Sequence, residues 1–222
     1  MRPKRMTLFA GHYGSGKTNI AVNYALCLAG QGLPVTIADL DIVNPYYRTK
    51  DSMAELEAAG VRLISSAFAN TNVDVPAIPQ QMYAVTEDKS RYAVLDIGGD
   101  DRGALALGRY TPAILEEGDY EMLFVANRSR PLTADPASAI EVMREIEKAG
   151  GIAFTGLVNN TNLGPLTTVQ TLTDSLVWIE QISRGTGLPV VMTTVEQGLY
   201  EQLPAGFENC MPLKLQTKIW SE

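Results

Sequence analysis

The stretch GHYGSGKT (11–18) decides the fold. It fits the pattern G-x-x-x-x-G-K-[ST], a loop whose glycines let successive backbone N–H groups turn inward around phosphate oxygens. The flanking residues agree with it. MTLFA (6–10) is a short apolar run that reads as a strand entering the loop, and KTNIAVNYALCLAG (17–30) reads as a helix leaving it. In that helix Ile20, Ala21, Tyr24, Ala25, Leu28 and Ala29 recur at helical spacing, and Gly30 and Gly32 end it. A helix that opens directly from the loop adds the positive end of its dipole to the loop amides. Gly11, His12, Tyr13, Gly14, Ser15 and Gly16 are therefore candidate phosphate-cradling residues. Lys17 supplies a point charge for the β- and γ-phosphates, and the Thr18 hydroxyl suits Mg²⁺.

Working outward, short β-rich runs alternate with helical patterns. VTIAD (35–39), VRLIS (61–65), YAVLDIGG (92–99), EMLFVAN (121–127), IAFTGLVNN (152–160) and LPVVMTT (188–194) read as strands. Helices are expected near 51–59, from Pro79, over 133–151 and over 167–185. Such alternation predicts an α/β fold: one doubly wound, mostly parallel sheet of about seven strands with helices on both faces. No repeats or linker-like tracts divide the chain, so one nucleotide-binding domain is expected over 1–222, with its core over about 6–194 and an irregular tail at 195–222.

Two further stretches carry carboxylates off strand ends. ADLDIVNP (38–45) follows the second strand and DIGGDD (96–101) the fourth. Ligands in open α/β sheets bind at the carboxyl ends of strands, and acidic residues placed there beside a phosphate loop can hold Mg²⁺ and orient an attacking water.

With these pieces in order, the chain resembles the MinD/ParA branch of P-loop NTPases, which includes CobQ/CobB-type nucleotide-binding domains. The matching pieces are GHYGSGKTNIAVNYALCLA, ADLDIVNPYYR and VLDIGG. The resemblance implies that Lys17 and Thr18 bind triphosphate and Mg²⁺, with Asp39 and Asp96 near the metal. It implies that Asp41 orients the hydrolytic water, so that Asp41 and Lys17 are the candidate catalytic residues. Asn159, after the sixth strand, matches an adenine-reading asparagine. The Asp96 strand is expected between the Asp39 strand and the loop strand. One departure stands out: many members of that branch carry a second lysine where this chain has His12, and a mostly neutral imidazole does not reproduce a fixed positive charge. Either another cation substitutes, with Arg102 and Arg109 as candidates, or the nucleotide-driven dimer of that branch is absent.

Bulk properties bound the function. The 222 residues are 45% hydrophobic and 19% charged, which describes an ordinary globular domain. A net charge of −7 does not favour nucleic acid as a partner. No apolar run is long enough for a signal peptide or a membrane span, and NCMPLKLQTKIW at the C-terminal end is not a long basic amphipathic helix, so no membrane association and a cytoplasmic location are expected. Cys27 and Cys210 form no paired motif, which argues against a metal-cluster carrier; Cys27 reads as a small core residue. The basic tip MRPKR reads as a solvated terminus.

The reading that follows is a Mg-ATP-binding switch. Slow hydrolysis to ADP and phosphate would control an unidentified protein partner, with a nucleotide-dependent homodimer as one form. ATP is favoured because a guanine-reading N-K-x-D or T-K-x-D is missing from both candidate loops, NRSR (127–130) and NNTN (159–162). The alternatives are a small-molecule kinase or ATP-dependent ligase, with NTNVDVP (70–76) lining a substrate pocket, and a non-catalytic nucleotide-binding module.

Overall fold

The structure, a computed structural model, describes residues 2–40, 49–65, 83–99, 101–204, 207 and 209–215. Among them eight strands form one sheet: β1 (Met6–Ala10), β2 (Val35–Leu40), β3 (Arg62–Ser65), β4 (Tyr92–Ile97), β5 (Tyr120–Ala126), β6 (Gly156–Asn159), β7 (Val190–Glu196) and β8 (Cys210–Leu213). Their spatial order is β3-β2-β4-β1-β5-β6-β7-β8, and each neighbouring pair is parallel. As expected, β4 lies between β2 and β1. The parallel α/β architecture is the one the sequence pattern dictates, with one strand more than expected.

Helices cover both faces. α1 (Lys17–Gly30) and α2 (Met53–Ala58) lie on one side; α4 (Asp101–Gly108), α5 (Thr111–Glu117), α6 (Pro136–Gly150) and α7 (Val169–Thr186) lie on the other, and α3 (Ala84–Glu87) and α8 (Gln197–Tyr200) are single turns. The pleat sorts side chains between the two faces. On β1, Phe9 packs with Ile20, Ala21 and Ala25 of α1, whereas Met6, Leu8 and Ala10 pack with the opposite layer, which contains Leu107, Ile114, Met143 and Ile179. All five β1 residues are buried.

Element boundaries moved where capping chemistry overrides hydrophobic period. α6 starts at Pro136 rather than 133: the Asp135 carboxylate accepts from the Ser138 amide, and Pro136 has no N–H to satisfy. α7 is opened by Thr168 and Thr171, whose side chains cap each other's backbone. β6 is shorter than expected because the Phe154 amide donates to Glu147 instead of a strand partner, so the ladder begins at Gly156.

Three expectations are corrected. α4 and α5 were not anticipated, although Ala104, Leu107, Tyr110 and Ile114 form a buried stripe at helical spacing. β8 lies in the tail read as irregular; it pairs with β7 in the register Val195↔Pro212, at the end of the sheet order, where a proline costs no ladder bond on its open side. Cys27 is exposed on α1, because Ile20, Ala21, Ala25 and Leu28 take the inward face.

The basic tip also differs from a solvated terminus. Arg5 is buried, and its guanidinium pairs with Glu117 and donates to the carbonyls of Val85, Asp88 and Arg91. No helix among the described residues is long and apolar enough to cross a membrane.

Candidate functional site

The loop between β1 and α1 is shaped by its glycines. Gly14 and Gly16 have φ of 75° and 93°, left-handed values that favour glycine, and Gly16 is the residue from which α1 starts. The Ser15 amide donates to the His12 carbonyl at 3.1 Å, which closes the loop. Lys17 begins the helix and is only 4% exposed; its Nζ donates to the His12 carbonyl at 3.3 Å. Thr18 is buried beside it, and the Ser15 Oγ is buried with no hydrogen-bond partner among the described residues.

His12 turns back on its own loop. Its Nδ1 lies 2.9 Å from the Tyr13 carbonyl. That local contact gives the ring an anchor within the loop.

The carboxyl end of β4 reaches the same loop. Asp96 pairs in register with Phe9 of β1 on one side and Asp39 of β2 on the other. Both carboxylates are buried, and the Thr49 hydroxyl donates to Asp96 Oδ2 at 3.3 Å. Two residues past β4, a methyl group added at Gly99 would come within 2.6 Å of the Tyr13 amide nitrogen and 2.8 Å of Lys17 Nζ. The bare backbone at Gly99 therefore lies directly against the phosphate-binding loop.

On the other side of the loop opens a cavity of about 630 Å³. Gly14, Gly16, Lys17 and Thr18 form its loop end. Leu172, Val195, Leu213 and Leu215 give it an apolar wall, and Glu196 is the acidic residue among those lining it. A volume of that order suits a drug-sized or nucleotide-sized ligand.

The two asparagines after β6 divide their roles. Asn159 is fully buried away from the cavity; its amide donates to Ser175 of α7 at 2.8 Å and its carbonyl accepts from the Thr161 hydroxyl at 2.8 Å. Asn160 lines the cavity instead. Asn159, the residue expected to read the base, therefore lies off the cavity, and it is the next residue that borders it. Asn160 was legible only as the second letter of NNTN. Arg130 was missed as well: it lines the cavity from the loop after β5, and its Nε donates to the Gly14 carbonyl at 2.8 Å.

Asp41 and the segment NTNVDVP lie outside the described residues, as does the side chain of Arg102. Arg109 is exposed beyond the end of α4 and is not among the cavity-lining residues.

Comparison with known proteins agrees with this architecture. No family model matches the chain, and no curated protein sequence matches it. Among solved structures it is similar to chloroplast FtsY from Physcomitrella patens, with 18% identity and a TM-score of 0.61 over 90% of this chain and 60% of that one. FtsY from Thermotoga maritima gives 17% identity and a TM-score of 0.58 over 87% of this chain and 62% of that one. The signal recognition particle receptor FtsY from Elizabethkingia anophelis, solved in complex with GDP, gives 16% identity and a TM-score of 0.53 over 88% and 58%. The chain therefore spans about three fifths of the length of these structures. Fold and loop together define the class, a P-loop NTPase fold; the likeness reaches that class and not the MinD/ParA branch within it.

Proposed function

We propose that the chain binds a magnesium nucleoside triphosphate, hydrolyses it slowly and uses the change to control a protein partner. The observation that carries this reading is the buried Lys17 at the start of α1, packed against the bare Gly99 backbone at one end of the cavity. Phosphoryl transfer to water needs positioning and charge neutralisation more than covalent help from the protein. Lys17 and the loop amides supply both at the phosphates.

The residues present fit Mg²⁺. Thr18, Asp39 and Asp96 offer hard oxygen donors, which suit this ion, and the Ser15 Oγ of the same loop as Thr18 is buried with no hydrogen-bond partner among the described residues. When bound, Mg²⁺ supplies positive charge at the phosphate oxygens. In this reading Asp41 orients the attacking water. In the same reading hydrolysis toggles the loops at 39–48 and 97–103 and so alters a partner surface.

For the base, ATP is favoured by the absence of a lysine-x-aspartate guanine signature in NRSR and NNTN. A second reading, GTP, is favoured by the Glu196 carboxylate in the cavity wall, since a carboxylate can accept both N–H groups of guanine's edge. The FtsY structure in complex with GDP supports the same alternative.

Sedimentation velocity with Mg²⁺ and non-hydrolysable ATP or GTP analogues tests the reading. Co-sedimentation of the ATP analogue with wild-type protein, and its loss in Lys17→Ala, is the expected result. Co-sedimentation of the GTP analogue alone selects the second reading, and binding of neither overturns both. The sedimentation coefficient shows at the same time whether a homodimer forms. Phosphate release by Asp41→Ala should fall at least ~10-fold with binding intact, less than the roughly 10²–10⁴-fold of a full general acid or base because Asp41 only positions the water.

A further inference from the structure

A magnesium-bound triphosphate retains about two negative charges after the metal's own two are counted. Lys17 accounts for one. His12, the other candidate in the loop, turns its Nδ1 back to the Tyr13 carbonyl at 2.9 Å. The site as read from the loop alone is therefore one cation short.

Arg130 stands where that cation is needed. Its Nε donates to the Gly14 carbonyl, and its Nε and Cζ lie 3.5 and 3.6 Å from the point where a Gly14 methyl would be, so the guanidinium packs against the loop. The side chain lines the cavity together with Gly14, Gly16 and Lys17. Its two Nη groups have no hydrogen-bond acceptor or ion pair among the described residues. Arg128, two residues earlier, turns away, and its Nη1 donates to the Asp174 carbonyl of α7.

The presenting turn is fixed. The Arg130 amide donates to the Asn127 carbonyl, the Ser129 amide to Asn127 Oδ1, and the buried Thr133 hydroxyl again to the Asn127 carbonyl. Arg130 precedes Pro131 and has the extended backbone such a residue prefers. A rigid turn, one guanidinium nitrogen tied to the loop and four remaining N–H donors on a cavity-lining residue make a pre-organised anion receptor, which suits a planar fork better than a lysine.

We propose that Arg130 is the second phosphate-facing cation of this site, contributed by the same protomer that carries Lys17. The proposal rests on the nucleotide reading above. It makes the site complete in charge within one chain, without a lysine reaching across from another copy.

Calorimetric titration of wild type, Arg130→Ala and Arg130→Lys decides it, using a non-hydrolysable triphosphate of the base that wild type binds and the matching nucleoside monophosphate. Arg130→Ala should weaken the triphosphate about 10-fold or more, as expected for loss of charge-assisted hydrogen bonds, and leave the monophosphate within about 2-fold. Its triphosphate affinity should also depend less on salt, and Arg130→Lys should recover part of both effects. Unchanged triphosphate affinity in Arg130→Ala overturns the proposal. Equal losses for triphosphate and monophosphate also overturn it, since they mean that Arg130 only braces Gly14. If wild type binds neither triphosphate, the nucleotide reading itself fails, a result distinct from either of these.

Discussion

The Asn160 amide donates to the Ser15 carbonyl at 2.5 Å, while its side-chain oxygen accepts from the Thr194 hydroxyl at 2.5 Å. One buried side chain thus ties the phosphate-binding loop to β7 across the end of β6. Gly16 leaves the room it needs, because a methyl group there would collide with the Asn160 amide nitrogen.

Asn160→Asp should be the more damaging of two substitutions at this position. It sets a carboxylate oxygen against the Ser15 carbonyl, whereas Asn160→Ala only removes the donor. Leaving a buried carbonyl unmade costs about 1–3 kcal/mol. We expect urea unfolding to show a loss in that range for the alanine variant and a larger one for the aspartate. Triphosphate affinity should fall in both, since the loop is held from this side.

Gly99→Ala tests the contact between the β4 loop and the phosphate loop. The added methyl meets backbone at Tyr13, which cannot swing aside, as well as the movable end of Lys17. Overpacking of this kind costs about 1–3 kcal/mol. Titration should show weakened triphosphate binding out of proportion to the change in melting temperature. Wild-type affinity would show that the two loops do not constrain one another.

Arg5→Ala should destabilise the chain without touching the site. It strands Glu117, whose side chain is 9% exposed, and releases three backbone carbonyls. Breaking a buried ion pair from one side typically costs about 3–5 kcal/mol. Denaturant unfolding measures this loss, and nucleotide affinity under native conditions should be unchanged.

Tyr24 and Tyr110 predict an alkaline limit. Burial pushes both phenols up from 10.0 to about 12. The folded state thus holds its proton where the unfolded chain releases it. This contribution to stability is complete below pH 10 and is lost as pH rises toward 12. Tyr24→Phe, followed by melting temperature against pH, should flatten that decline. Tyr110→Phe should flatten it too and raise stability at neutral pH by about 1 kcal/mol, because the Tyr110 hydroxyl is buried with no hydrogen-bond partner among the described residues.

Much of this architecture was legible in the order of residues. β1, the glycine loop and α1 carry their period and punctuation in one continuous stretch, and the helix bounds at Lys17 and Gly30 agree with the pattern. Which of Asn159 and Asn160 borders the cavity was not legible, because a run of two identical residues at a strand end does not say which one turns toward it. Arg130 was hidden for another reason. It reaches the loop from 116 residues away along the chain, through a turn that has no glycine-rich signature of its own. β8 went unread in the tail taken as irregular, because a four-residue strand that contains Pro212 carries too little period of its own.

The Arg5 clamp also gives the molecule two poles. In a parallel sheet the amino ends of all strands lie together, and Arg5 holds β1 at that end, next to Lys4 and its ion pair with Asp119. The cavity opens at the other end, past the five residues of β1 and about 16 Å along the strand direction. A fluorophore or surface tether joined ahead of Lys4 therefore leaves from the pole opposite the ligand. Immobilised protein keeps the mouth of the cavity turned to the solution.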